Sequence, residues 1–245
     1  MPDTFNPIEG LRQPTSSVQA DDLHGAVMPR MNRKVPVNVD LVFAIDRTGS
    51  SAEFSAGIRR AIPLIATPVM KKAARVRLFL QTHGDLDYGQ RPVMLVRDGT
   101  LDELVAEVDG IDYSGGGDAP EHHTHALEAL LESVDWTGTP PTRRAVVLFS
   151  TADTKPSPSG RTPEQIASAL QAQGVLLFAV CEMVPGMRTF VSRAQGEAFP
   201  ISNDPSEAEM QRVSAAVAAS VLASVVEGDI AAPPANTVYV SNQPY

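Results

Sequence analysis

Between residues 39 and 226, short apolar runs alternate with longer stretches whose apolar residues recur at helical spacing. No other feature constrains the fold as much. Val39-Asp40-Leu41-Val42-Phe43-Ala44-Ile45 is rich in β-branched residues and nearly continuous, the pattern of a strand covered on both faces. Phe54, Ile58, Ile62, Ile65 and Val69 follow at spacings of four, four, three and four, which predicts one face of a helix. Pro63 and Pro68 within it predict a kink or an early end, because proline removes a donor and crowds the preceding turn. Val76–Leu80 is a second strand, and Pro92–Val96 follows closely enough to pair with it antiparallel. Leu101, Leu104, Val105 and Val108 give a short helix. Beyond the loop Ser114–Pro120, Ala126, Leu127, Leu130, Leu131 and Val134 share a helical face. Ala145–Phe149 and Val175–Val180 are further buried strands. Thr162-Pro163-Glu164 opens a helix with Thr as cap, Pro at the first position and an acid next, and that helix ends near Gly174. Met187–Ala194 is a short helix, Ala198–Ile201 an edge strand and Ser206–Val226 a long closing helix.

Strands alternating with helices imply the α/β class. The expected architecture is a doubly wound, mostly parallel six-stranded sheet with one antiparallel strand and helices on both faces. Such sheets bind ligands beyond the carboxyl ends of their strands, where the chain order switches. The loops after Ile45, Ile111 and Phe149 are therefore the ones to inspect.

Composition adds limits. A chain of 245 residues, 43% of them hydrophobic, suffices for one good-sized domain with tails. Residues 1–35 lack periodicity and read as a flexible N-terminal tail, 36–228 as the domain, and 229–245 as a flexible C-terminal tail. A net charge of −9 argues against a nucleic-acid surface, which needs clustered Lys and Arg. The lone cysteine, Cys181, excludes an intramolecular disulfide and a Cys-based zinc site, and its apolar run makes it a core residue. Met1–Ala20 has no basic segment followed by an apolar one, and Ser214–Val226 is too short to span a bilayer. A cytoplasmic protein without a membrane span is expected.

The first strand ends in Asp46-Arg47-Thr48-Gly49-Ser50-Ser51. A carboxylate with hydroxyls two and four residues on offers three oxygen donors from one turn, which suits a hard cation such as Mg²⁺. The plainer alternative is that Thr48 or Ser50 caps the next helix. Gly115-Gly116-Gly117-Asp118-Ala119-Pro120-Glu121 brings two more carboxylates ahead of a helix, where acids are also electrostatically welcome, so Asp118 reads equally as an N-cap. The glycine run follows no strand and has no Lys-Ser/Thr ending, which argues against a nucleotide loop. His122 and His125, three apart, share a helical face and offer Zn²⁺ or Ni²⁺ a site, against the simpler expectation that His122, His123 and His125 form a solvated polar face. Asp85 and Asp87 read as a strand-to-strand turn at the rim of the site, and Trp136 as the anchor of its own loop.

Taken together, the strand ending in Asp46-Arg47-Thr48-Gly49-Ser50 and the later Gly115–Glu121 loop resemble the von Willebrand factor A (VWA) family, over roughly residues 36–228. Asp46, Thr48 and Ser50 resemble its metal-ion-dependent adhesion site (MIDAS) motif, Asp-x-Ser/Thr-x-Ser. The second loop is similar to the Gly-Gly-Gly-Asp-x-Pro-Glu of bacterial members and the Asp-Ser-Pro-Glu of the integrin β inserted domain. The resemblance implies that Glu121 reaches the same metal. One departure stands out. The family's fourth strand ends in a hydroxyl and then an aspartate, whereas Phe149-Ser150-Thr151-Ala152-Asp153 carries its acid late. Asp153 is then the substitute ligand, direct or through water, or the site lacks one carboxylate. The implied metal set is Asp46, Thr48, Ser50, Asp118, Glu121 and Asp153, holding Mg²⁺ or alternatively Mn²⁺ or Ca²⁺. The implied function is non-enzymatic: a protein-binding module that captures an Asp or Glu of another protein, as a subunit of a bacterial-type intracellular assembly. Two alternatives remain open. One is a Mg²⁺-dependent haloacid-dehalogenase-like phosphohydrolase, against which Thr48 stands where a second Asp is needed. The other is a metal-free structural subunit with a degenerate site.

Overall fold

The computed structural model describes residues 37–117, 119–138, 142–202 and 205–226, with the backbone alone over 224–226. Both predicted tails lie outside the described residues. The elements are β1 (Asn38–Asp46), α1 (Ser55–Lys72), β2 (Arg75–His83), β3 (Val93–Gly99), α2 (Leu101–Asp109), α3 (His123–Ser133), β4 (Thr142–Ser150), α4 (Pro163–Ala172), β5 (Val175–Cys181), α5 (Pro185–Arg193), β6 (Gly196–Pro200) and α6 (Glu207–Val226). They form one sheet in the order β3-β2-β1-β4-β5-β6. Only the β2–β3 pair is antiparallel, so the expected α/β architecture is the one observed.

The period-two alternation of β1 sorts its side chains between two cores. Val39, Leu41, Phe43 and Ile45 pack with α1, α2 and α6 on one face. Val42 and Ala44 pack with α3, α4 and α5 on the other. Burying a side chain the size of Leu41, Phe43 or Ile45 contributes about 1.5–3 kcal/mol each relative to leaving it in water. Among the described residues no helix is long and apolar enough to cross a membrane. Cys181 is fully buried, and burial pushes its thiol up to about 12, as befits an inert core residue.

The helix after β1 does not end early. α1 continues for 18 residues with Pro63 and Pro68 inside it. The carbonyls those prolines leave without a helical donor belong to Arg59 and Leu64, both exposed, so water can serve them. The opposite face, Ile58, Ala61, Ile62, Ile65, Ala66 and Val69, is buried and holds the helix to the sheet. α4 starts as expected, with Thr162 and Gln165 forming a reciprocal capping box and Pro163 in the first position.

One acid sits inside β1. Asp40 is 1% exposed. Arg77 of β2 donates to both of its oxygens, from Nε at 2.8 Å and Nη2 at 2.9 Å. Thr137 adds its amide at 2.8 Å and its hydroxyl at 3.0 Å. Burial works to raise the Asp40 pKa, but the bonds from Arg77 and Thr137 outweigh it and hold the group below its ordinary 3.8. The knot fastens β1, β2 and the loop after α3 at the end of the sheet opposite Asp46.

Removing one partner of such a pair strands the other charge. Asp40→Ala is expected to destabilise the fold by about 3–5 kcal/mol at pH 7. Because the folded pKa is depressed, the carboxylate's contribution is fully present above pH 3.8 and is lost as pH falls through the lower folded value. Urea melts of both proteins at neutral and acidic pH check this: a difference that stays constant below that range contradicts it.

Candidate metal centre

The carboxyl ends of β1 and β4 lie side by side, Ile45 opposite Phe149, where the sheet switches direction of growth. Asp46 ends β1 with a fully buried side chain. Its Oδ1 accepts from the amide and the hydroxyl of Thr48, each at 2.9 Å. Thr48 Oγ1 lies 3.1 Å from Ser50 Oγ, and Ser50 Oγ lies 2.9 Å from Thr151 Oγ1. Ser51 Oγ joins Thr151 at 3.2 Å. Thr48 occupies the N-cap of the 3-10 turn Gly49–Phe54, yet its side chain makes no capping bond. Its hydroxyl is turned to the oxygen cluster instead. The other Asp46 oxygen, Oδ2, is buried and has no hydrogen-bond partner. A buried carboxylate oxygen left bare costs its full desolvation unless a cation meets it.

The glycine loop leans onto this turn through the backbone. Ser114 N donates to Arg47 O at 3.2 Å, and Gly49 N to Gly115 O at 2.9 Å. Gly116 has φ 68°. A Cβ there would come within 2.9 Å of Thr48 Cβ and 3.2 Å of Glu121 Oε1. Only glycine meets both the left-handed backbone and the close approach. The same distances set the Glu121 carboxylate beside Thr48. Glu121 is 3% exposed. Its amide donates to Asp153 O at 2.8 Å and its carbonyl accepts from Lys155 N at 2.9 Å, a single parallel bridge just ahead of α3.

The structure thus brings Asp46, Thr48, Ser50 and Glu121 together. Asp118 lies outside the described residues. Asp153 is adjacent through its backbone, but its Oδ1 is engaged by the amides of Thr154 and Gly186, both at 2.8 Å, where it ties the β4 loop to the start of α5. The group that does reach the cluster from the β4 loop is Thr151, which sequence reasoning passed over. Its signal was there: a hydroxyl directly after the strand end that lies beside Asp46.

Below the cluster runs a buried polar line. His83 Nε2 and His123 Nδ1 are 2.9 Å apart, and His123 Nε2 lies 2.7 Å from Ser150 Oγ. Burial, first of all, holds both imidazoles below the ordinary 6.5, so both are neutral at pH 7. The expectation of a solvated histidine face is corrected. His123 is fully buried and His122 is 6% exposed, because α3 begins under the loop that follows β4. His122 and His125 do not share a site either. His122 Nδ1 lies 2.9 Å from Asp85 Oδ1, while His125 faces Ser157 and Glu128.

Asp85, Asp87 and His122 form a second group, with ligand atoms within 4.8 Å of one another. Lys155 Nζ already lies 2.7 Å from Asp87 and 3.3 Å from Asp85. Burial works to raise the Asp85 pKa, but the Asp87 amide and Lys155 outweigh it and hold the group below its ordinary value. A protein ammonium thus supplies the positive charge there. Gln90 links this corner to the glycine loop, accepting from Asp85 N at 3.1 Å and donating to Ser114 O.

The sequence matches no protein-family model and no curated protein. Solved structures do match in three dimensions. The VWA domain of SpRpn10 aligns with a TM-score of 0.55 at 10% identity, covering 73% of this chain and 94% of that domain. Proximal thread matrix protein 1 from the mussel byssus aligns with a TM-score of 0.54 at 14% identity, covering 75% of this chain. This chain spans only 46% of that mussel protein. A form of the same protein described as having a zinc-occupied MIDAS motif aligns with a TM-score of 0.52 at 13% identity. At such identities the likeness speaks for the fold alone, and the fold is that of a VWA domain.

Proposed function

We propose that this chain is a divalent-metal-dependent protein-interaction module, in which Asp46, Thr48, Ser50, Thr151 and Glu121 hold the ion and a partner's Asp or Glu completes its coordination. The observation that carries the reading is Asp46 Oδ2, buried and without a hydrogen-bond partner at the edge of an all-oxygen cluster. An all-oxygen donor set suits a hard cation, Mg²⁺ in the first place, with Ca²⁺ as an alternative. Mn²⁺ and Zn²⁺ are the other ions to compare. A bound ion would supply concentrated positive charge and open coordination positions. The chain's own part is to fix the donors: Asp46 and Glu121 as carboxylates, the three hydroxyls as neutral donors. Asp153 is assigned the part of an outer carboxylate, on the ground that amides hold its Oδ1. Asp118 stays in the proposal on its place in the sequence.

Binding is favoured over the phosphohydrolase alternative because Thr48 stands two residues after Asp46, where that chemistry needs a second Asp. The module acts within an intracellular assembly of the bacterial type, where the partner's carboxylate is the recognised group.

Two outcomes test the reading. Calorimetric titration of chelator-stripped protein with Mg²⁺ is expected to show saturable binding, with helical circular dichroism unchanged between the two states. Asp46→Asn should abolish the binding, whereas Asp153→Ala should weaken it by about 10- to 100-fold, the usual cost of an outer partner. Mg²⁺ at 100-fold its Kd should stabilise the wild type by about 2.7 kcal/mol and leave Asp46→Asn unmoved. Identical melting of the wild type with Mg²⁺ and with EDTA would favour the metal-free structural alternative.

The second outcome concerns the partner. A protein captured from the source cell in Mg²⁺ is expected to be lost with EDTA, with Asp46→Ala and with Glu121→Ala, while all three samples keep the wild-type circular dichroism. Retention in all three would place the interaction on another surface.

A further inference from the structure

A second segment grips the glycine loop, the connection between β2 and β3. Asp85 organises it. Its carboxylate accepts from Asp87 N at 2.9 Å, and its carbonyl accepts from Tyr88 N at 3.2 Å and Gln90 N at 2.9 Å. The 3-10 turn Leu86–Tyr88 that results turns two side chains onto the glycine loop. Gln90, 7% exposed, is one of them. Its Oε1 accepts from Asp85 N at 3.1 Å and its Nε2 donates to Ser114 O. The amide lies between two glycines. A Cβ on Gly84 would overlap its oxygen, and one on Gly115, φ 69°, would come within 2.9 Å of its nitrogen. Tyr88 is the other, since a Cβ on Gly117 would overlap its hydroxyl. Gly115 and Gly117 thus make room for this turn, as Gly116 does for Thr48 and Glu121.

Resting on the metal reading above, we propose that Gln90 is a positioning residue of the metal centre: its amide clamps the glycine loop against the Arg47–Gly49 turn and sets, from outside the donor set, how tightly an ion is held. The route is a short chain of bonds. Gln90 holds the carbonyl of Ser114, whose amide donates to Arg47 O at 3.2 Å, and Gly115 O accepts from Gly49 N at 2.9 Å. Arg47 and Gly49 flank the donor Thr48. A loop released at Ser114 is free to draw Gly116 away from Thr48 and Glu121, and donors held loosely lose affinity for their ion. The clamp needs an amide. Its two partners are an N–H and a carbonyl, and only a side chain with both an acceptor and a donor satisfies the pair. Glutamate has the same shape but sets an acceptor against Ser114 O, and methionine fills the space while bonding neither partner. The rival role is plain filling between Gly84 and Gly115, in which methionine would serve as well as glutamine and the ion would not sense the change.

The experiment uses the full chain with Gln90→Met and Gln90→Glu, the first being the neutral comparison. Amide hydrogen exchange is read residue by residue without metal and with saturating Mg²⁺, and Mg²⁺ affinity is measured by calorimetry. Without metal, both variants are expected to exchange the Gly49 and Ser114 amides about tenfold or more faster than the wild type, while the β1 and β4 amides exchange at wild-type rates. The Kd for Mg²⁺ should rise about tenfold in both. Saturating Mg²⁺ should slow the Gly49 amide of the variants by more than it slows that of the wild type, because clamp and ion favour the same arrangement and their coupling is reciprocal. Unchanged loop exchange in Gln90→Met overturns the inference and assigns Gln90 to filling. Faster loop exchange with an unchanged Kd overturns it too, and leaves the metal reading standing. Faster exchange throughout the sheet, or failure of both variants to fold, assigns Gln90 to general stability and equally overturns it. Absence of Mg²⁺ binding by the wild type overturns the metal reading and with it the role given to Gln90.

Discussion

The position of β1 governs the rest of the molecule. It pairs with β2 on one side and β4 on the other, and its side chains are buried on both faces from Val39 to Asp46. A strand so enclosed cannot shift register by one residue without exchanging the two cores, so its end is fixed to within a side chain. Whatever residue stands at that end is held rigidly at the topological switch, and the residue is an acid.

The same strand carries two buried acids with opposite fates. Asp40 accepts four hydrogen bonds, two of them from the Arg77 guanidinium whose charge also pairs with it, and its burial is compensated within the chain. Asp46 is compensated on one oxygen only. A fold able to satisfy one buried carboxylate so fully has left the other short at the mouth of the crevice. That bare oxygen is the one the proposed ion would meet. Asp85, with Lys155 seated against it, shows a third outcome, in which the chain supplies the cation itself.

The crevice is assembled by backbone contacts as much as by side chains. Gly49 and Gly115 join the first two loops, and Glu121 joins the second to the third through Asp153 and Lys155. These bonds allow residues distant in sequence to converge without a long side chain spanning the gap. They also explain why Asp153 contributes as it does: its carbonyl and Oδ1 are committed to holding the loops and α5, which leaves the hydroxyl of Thr151 to face Ser50.

Periodicity alone determined the elements, their order and the parallel sheet, because burial on two faces and burial on one stripe leave different repeats in the sequence. It determined Asp46, Thr48 and Ser50 as neighbours too, since one tight turn carries all three. The clustering of Glu121 with them was legible only as a resemblance between motifs. What the sequence left undecided depended on contacts between distant segments. That Pro63 and Pro68 do not end α1 follows from the exposed side on which their freed carbonyls fall. That His123 is buried against Ser150 and His83 follows from the loop after β4 covering the start of α3. That Thr151 rather than the Asp153 carboxylate oxygen Oδ1 meets the hydroxyl cluster follows from the two amides that hold Oδ1. Local spacing records which residues can share a face or a turn. Which polar groups find a partner across the fold, and which are left bare, is settled only when the loops close over one another.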